Sequence, residues 1–168
     1  MMEEDILVSI TLYGELECEY TWLDWYKYCK KVISQLGYEP NYISIESDSI
    51  KSGKVLNLGK KEKRVLTSIN NDNIEWLSIY SLPGDFITAS FDYNVLLTRN
   101  TEYLSMIISK EVYSNLNIGC TLSELRKFIK FNQGEVFEMH RDESPLLYAS
   151  RLNEASEFDT LKIIKKLQ

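Results

Sequence analysis

Histidine is almost missing from this sequence, with His140 the single instance. Any Ser-His-Asp or Cys-His nucleophilic pair would have to be built around that one imidazole. Cysteine is scarce too. Cys18, Cys29 and Cys120 are an odd number without Cys-x-x-Cys spacing. They read as reduced, mostly packed thiols of a cytoplasmic protein, with too few ligands for zinc and no disulfide framework. Seven glycines and three prolines argue against long flexible linkers. No apolar run approaches the roughly 18 residues of a membrane span. The opening "MMEEDILVSI" lacks the basic region of a secretory signal. Basic charge is also in deficit, 19 Lys and Arg against 25 Asp and Glu, for a net charge of −6 and a pI near 4.9. A general nucleic-acid binder takes its affinity from phosphate contacts and is normally basic, so no direct nucleic-acid binding is expected. An acidic chain suits a basic protein partner, steered by complementary fields.

What is present is enough for a core. With 168 residues and 44 % hydrophobic content, the chain reads as one domain over 1–168 that needs neither disulfide nor metal. Aromatic content is 12 %, with 11 Tyr and 3 Trp, residue types useful in cores and at interfaces alike.

Periodicity predicts the elements. "ILVSITLYG", Ile6 to Gly14, reads as a buried strand. "ELECEY" follows. If extended it places Glu15, Glu17 and Glu19 on one face, and if looped it clusters them at a solvated rim. "TWLDWYKYCKKVISQLG" predicts a helix capped by Thr21 with Asp24 in its first turn and Gly37 at its stop. Asn41 to Ser47 predicts a short strand, and Lys60 to Asn70 a short helix ended by "NND". Glu75 to Pro83 and Phe86 to Thr98 read as a hairpin turned at Pro83-Gly84-Asp85. "EYLSMIISKEVY" fits strand or helix. "TLSELRKFIKFNQG" predicts a helix with capping-box spacing between Thr121 and Glu124 and a stop at Gly134. Glu135 to Met139 and Leu146 to Arg151 read as strands around a polar turn. "SEFDTLKIIKKLQ" predicts a closing helix capped near Ser156. The fold class is therefore α+β, a mainly antiparallel sheet with helices packed against it, compatible with two similar strand-helix-strand halves.

Candidate chemistry is thin. His140-Arg141-Asp142 spells the tripeptide of a kinase catalytic loop, but Leu147 stands where the metal-holding asparagine would follow. There is no glycine-rich phosphate loop. No Asp/Glu run has the calcium-loop pattern, so neither a metal nor a cofactor is expected. Cys120 precedes a helix start, where a thiolate could be stabilised. Lys60 to Arg64, "KKEKR", reads as a solvated helix face. Trp22, Trp25 and Tyr26 read as core, leaving Tyr20, Tyr28 and Tyr93 as candidate exposed aromatics. Glu15, Glu17 and Glu19 are either a charged strand edge that discourages sheet pairing or a patch for a basic protein.

The run "LSELRKFIKF", a glycine break, "EVFEMHRDESP" and then "LLYASRLN" resembles bacterial immunity proteins of polymorphic toxin and contact-dependent inhibition systems. That resemblance implies a non-enzymatic, cytoplasmic α+β protein that binds one cognate toxin domain, often a nuclease, and blocks it. The carboxylates placed to meet a basic toxin are Glu15, Glu17, Glu19, Asp142 and Glu143. Two other functions remain open on the residues: a general protein-binding adaptor, and a small hydrolase using carboxylates with His140.

Overall fold

Alternation along Ile6–Leu16 sends Val8, Ile10 and Leu12 to one side and Leu7, Ser9, Thr11 and Tyr13 to the other, the pattern of a strand with packing on both faces. This strand, β1, is central to the molecule. The computed structural model describes residues 5–51, 53–151 and 154–168. In chain order the elements are β1, α1 (Trp22–Gln35), β2 (Tyr42–Ser47), β3 (Leu56–Asn57), α2 (Leu58–Asn71), β4 (Ile74–Ser81), α3 (Ala89–Asp92), β5 (Val95–Arg99), β6 (Tyr103–Ser109), α4 (Lys110–Ser114), α5 (Ile118–Leu125), β7 (Ile129–His140), α6 (Pro145–Ala149) and β8 (Lys162–Leu167).

The strands form one antiparallel sheet in the order β3-β2-β4-β5-β6-β1-β7-β8. The expected α+β class is what the structure has. Its halves are not separate units, because β1 is paired between β6 and β7 of the second half. The chain crosses from β1 to β2 through α1, passing β6, β5 and β4. Thr21 begins this helix with a full capping box. Its hydroxyl accepts from the Asp24 amide, and Asp24 accepts from the Thr21 amide. Gly37 follows the helix at φ +91, a left-handed position that glycine takes without strain. Trp25, Cys29 and Ile33 of α1, with Val65 and Ile69 of α2 and Leu125 of α5, cover one sheet face over Val8, Ile10, Ile43, Leu97 and Met106. The opposite face is covered only in part, by α6 and by the 82–94 connection.

Six expectations are corrected. Pro83-Gly84-Asp85 does turn, with the Phe86 amide donating to the Pro83 carbonyl, but residues 86–94 are not strand. The Asp92 carboxylate accepts from the Ile87 and Thr88 amides and closes a loop around α3, so β5 starts only at Val95. The helix expected from Thr121 starts at Ile118, because the Asn117 side chain accepts from the Cys120 amide and caps it first. It ends at Leu125, since residues 129–134 pair with the far end of β1. Leu146 to Arg151 is not a strand. Ser144 turns at φ +57, Pro145 occupies the first helical turn, and α6 packs Leu146 and Ala149 on Phe137 and Met139. The tail is strand β8 and not a helix, because β7 offers it a free edge. Of the thiols only Cys29 is buried, and Cys18 and Cys120 are exposed. Tyr93 belongs to the core at 1 % exposure, and Tyr20 and Tyr28 pack against Phe128.

Gly14 sits where the β1–β7 register shifts. A Cβ there would lie 2.0 Å from the Lys130 carbonyl oxygen, so one backbone must move. Gly14→Ala is expected to cost about 3 kcal/mol, measured as a lowered urea midpoint. An unchanged midpoint would mean that the bulge relaxes freely.

Candidate functional site

The partly covered sheet face carries a row of small hydroxyl side chains. Ser44 faces Ser78, Ser78 faces Thr98, Thr98 faces Ser105 and Ser105 faces Thr11. Directly opposed residues share a face, so the five stand in line across five strands. Each has a partner, and Ser44 donates to the Gly53 carbonyl at 3.3 Å. Ser78 and Thr98 hydroxyls are 2.6 Å apart, and the Ser9 hydroxyl lies 2.7 Å from Thr11 and 2.9 Å from Ser105. Buried polar groups are tolerated when paired in this way. Two residues along each strand on either side, the rows are bulky, with Tyr80 and Leu96 on one side and Tyr103 and Tyr13 on the other.

A furrow opens on the same sheet face, over the bulky residues that flank this buried row. Its walls are α6 and the 82–94 connection, and it encloses about 430 Å³ against Tyr80, Phe91, Leu96, Tyr103, Leu146 and Leu147. Two of its apolar lining residues reach the surface, Leu147 at 45 % and Phe91 at 37 % exposure. An apolar patch left open on an acidic protein is the informative kind of exposure.

The walls are tied in place. The Arg141 guanidinium donates to the carbonyls of Phe91 at 2.8 Å and Tyr93 at 2.6 Å, joining the α3 loop to the turn before α6. The Tyr13 hydroxyl donates to the Ala149 carbonyl at 2.6 Å and holds α6 on the sheet. Glu143 accepts from the amides of Asp159 and Thr160 and from the Thr160 hydroxyl. Partial burial pushes its carboxyl pKa up, but these donors prevail and hold it below the ordinary value.

The expected site residues therefore separate. Asp142 is 83 % exposed at its side chain and stands beside the furrow, two residues before the wall residue Ser144. Glu143 is a loop fastener. Glu15, Glu17 and Glu19 lie at the other end of β1, whose Ile6 pairs with His140 and whose Leu16 pairs with Ile129. At about 3.3 Å per residue, the two groups are roughly 30 Å apart and do not form one patch. Beyond Leu16 the chain loops. The Glu17 carboxylate accepts from the Glu19 amide at 3.1 Å, while the carbonyls of Glu17, Tyr20 and Thr21 turn inward onto the buried Arg99 guanidinium. His140 uses Nδ1 to accept from the Asp142 amide at 3.2 Å, which caps the turn.

A second hollow of about 520 Å³ opens beside the start of α2. Its charges answer each other. Lys30 lies 2.8 Å from Glu62, and the Tyr26 hydroxyl donates to the same carboxylate at 2.5 Å. Among the described residues no group of three or more His, Cys, Asp or Glu side chains is placed to hold a metal ion. Among the described residues no helix is long and apolar enough to cross a membrane. The sequence signal for the hydroxyl row was a Ser or Thr within each of these apolar strands, but their alignment needed the register. Compared with protein-family models, curated proteins and solved structures, the chain matches none.

Proposed function

We propose that this chain is a non-enzymatic immunity protein that docks a basic toxin domain on the open face of its sheet. The furrow with its exposed Phe91 and Leu147 carries the reading. A tight interface needs an apolar centre that loses its water on binding, and Phe91, Leu96, Leu146 and Leu147 offer one. Charge supports the choice of partner. The net charge is −6, and among the described residues only two Lys or Arg side chains pair with a carboxylate, in Lys30–Glu62 and Lys110–Glu138. Most carboxylates are thus free to steer a cationic partner. A nuclease is the natural toxin class, because the surface that grips phosphate is basic. The hydrolase alternative has less support, since His140 lines neither the furrow nor the second hollow.

The test is binding and growth protection against the toxin domain encoded beside this gene. Tight one-to-one binding is expected. Leu147→Asp should weaken it at least about thirtyfold, the ~2 kcal/mol of an interface anchor, with the unfolding midpoint unchanged. Asp142→Lys should slow association and flatten its salt dependence. Several weak partners and no toxin binding would favour the adaptor. Tight binding that ignores Leu147→Asp but responds to reversal of Glu15, Glu17 and Glu19 would move the docking surface to the other end of β1.

A further inference from the structure

The sheet has two edges, and they differ. β3 is a two-residue strand, too short to template anything. β8 runs six residues, about 20 Å of edge, and ends the strand order. It pairs with β7 on one side only. Among the described residues no other strand and no hydrogen bond from a loop or side chain caps its outer side. Five of its six residues are exposed, with Ile163 at 37 % and Ile164 at 41 %, and only Leu167 is buried. An unpaired strand edge presents a ready row of amides and carbonyls.

Its charge is of one sign. Lys162, Lys165 and Lys166 lie on the strand with no acidic residue among them. The carboxylates opposite on β7 are already engaged. Glu138, across from Lys162, pairs with Lys110 at 3.6 Å, and Glu135, across from Lys166, accepts from the Tyr148 hydroxyl at 2.8 Å. None of the three lysines forms an ion pair among the described residues. In an acidic protein this is a local reversal of field.

We propose that β8 is a strand-addition site for an extended acidic segment of a partner protein. Backbone pairing along β8 would supply affinity, Lys162 and Lys165 on one face would meet the carboxylates of an alternating segment, and Ile163 on the other face would take its apolar side chains, with Lys166 adding to the local positive field. The same lysines oppose a second copy of this chain, because edge-to-edge pairing would set lysine against lysine. The site lies past β7, away from the furrow, and does not depend on the immunity reading.

The probe is a short peptide alternating Glu with Val, compared with its Lys-for-Glu counterpart, with amide hydrogen exchange read on the full chain. The acidic peptide is expected to slow exchange of β8 amides at least tenfold, and the lysine peptide to leave them unchanged. The triple substitution K162E/K165E/K166E should reverse this preference. If that variant fails to fold, a salt titration of the native chain replaces it, and binding should fall as screening shortens from about 10 Å to about 3 Å. The proposal is overturned by protection elsewhere than β8, by no protection at all, or by binding indifferent to charge reversal and salt. Preferential binding of a single-stranded oligonucleotide at these lysines would also overturn it.

Discussion

Arg99→Met is expected to destabilise the protein by roughly 3–5 kcal/mol, the cost of removing one partner from a buried charged network. Arg99 is 1 % exposed and meets no carboxylate. Its charge is spread instead over backbone carbonyls. Nε donates to Phe128 at 3.0 Å, Nη2 to Glu17 at 3.0 Å and Tyr20 at 3.1 Å, and Nη1 to Thr21 at 3.4 Å. The guanidinium also lies 4.8 Å from the Trp22 ring and 5.5 Å from that of Phe128, a favourable place for a cation. Desolvation pushes its pKa down to about 10. Methionine would preserve the apolar stem but take this donor from the carbonyls of Phe128, Glu17 and Tyr20, while that of Thr21 keeps the Trp25 amide. Lysine would keep the charge and lose the planar fork, so Arg99→Lys should recover only part of the loss. Urea unfolding checks the magnitude, and amide exchange over residues 17–21 checks the cause. A loss below about 1 kcal/mol would mean that water replaces the guanidinium readily.

Raising the pH past 10 is expected to unfold the protein cooperatively. Tyr13, Tyr26 and Tyr93 are 7 %, 3 % and 1 % exposed. Burial is the leading cause that raises each phenol above its ordinary pKa of 10.0. For Tyr26 the Glu62 carboxylate adds to it, while Arg151 and Arg141 partly offset it for Tyr13 and Tyr93. A raised folded pKa gives stability that is present below pH 10 and lost as pH climbs toward the folded value. Across that window the unfolded chain has released three protons that the native one still holds, a slope of about −4 kcal/mol per pH unit. Arg99 works in the opposite direction. Its depressed pKa makes the native state gain stability as pH rises above about 10, but it is one group against three. A domain holding the usual ~5–15 kcal/mol should be lost within a few pH units. Tyrosinate absorbance and circular dichroism should then change together. Independent ionisation of all 11 tyrosines near pH 10 with the fold intact would refute this.

Both effects rest on burial that the amino-acid order did not announce. Arg99 lies just beyond the strand expected over Phe86 to Thr98, with no local signal for burial, and Tyr93 reads as a candidate exposed aromatic. Each is buried because long-range packing closes over it, by the Glu17–Thr21 loop in one case and by the Leu82, Leu96 and Ile107 cluster in the other.

The sequence by itself determined the elements whose signals are local. Thr21 and Asp24 cap α1, and Trp25, Cys29 and Ile33 mark its buried face within a few turns. Ile6–Leu16 alternates strongly enough to be a strand wherever it pairs, and the α+β class and the poverty of catalytic groups follow from composition and pattern. Tertiary structure decided the rest. "KIIKKL" has helix-forming lysines and β-branched isoleucines in a segment too short to fold alone, and it became a strand only because β7 left an edge open. Pro145 and the turn at Ser144 made Leu146–Ala149 a helix once Phe137 and Met139 offered a surface to cover. The buried hydroxyl row depends on Ser44, Ser78, Thr98, Ser105 and Thr11 falling into line across five strands. That alignment is set by strand register, where a slip of one residue would turn every hydroxyl to the opposite face.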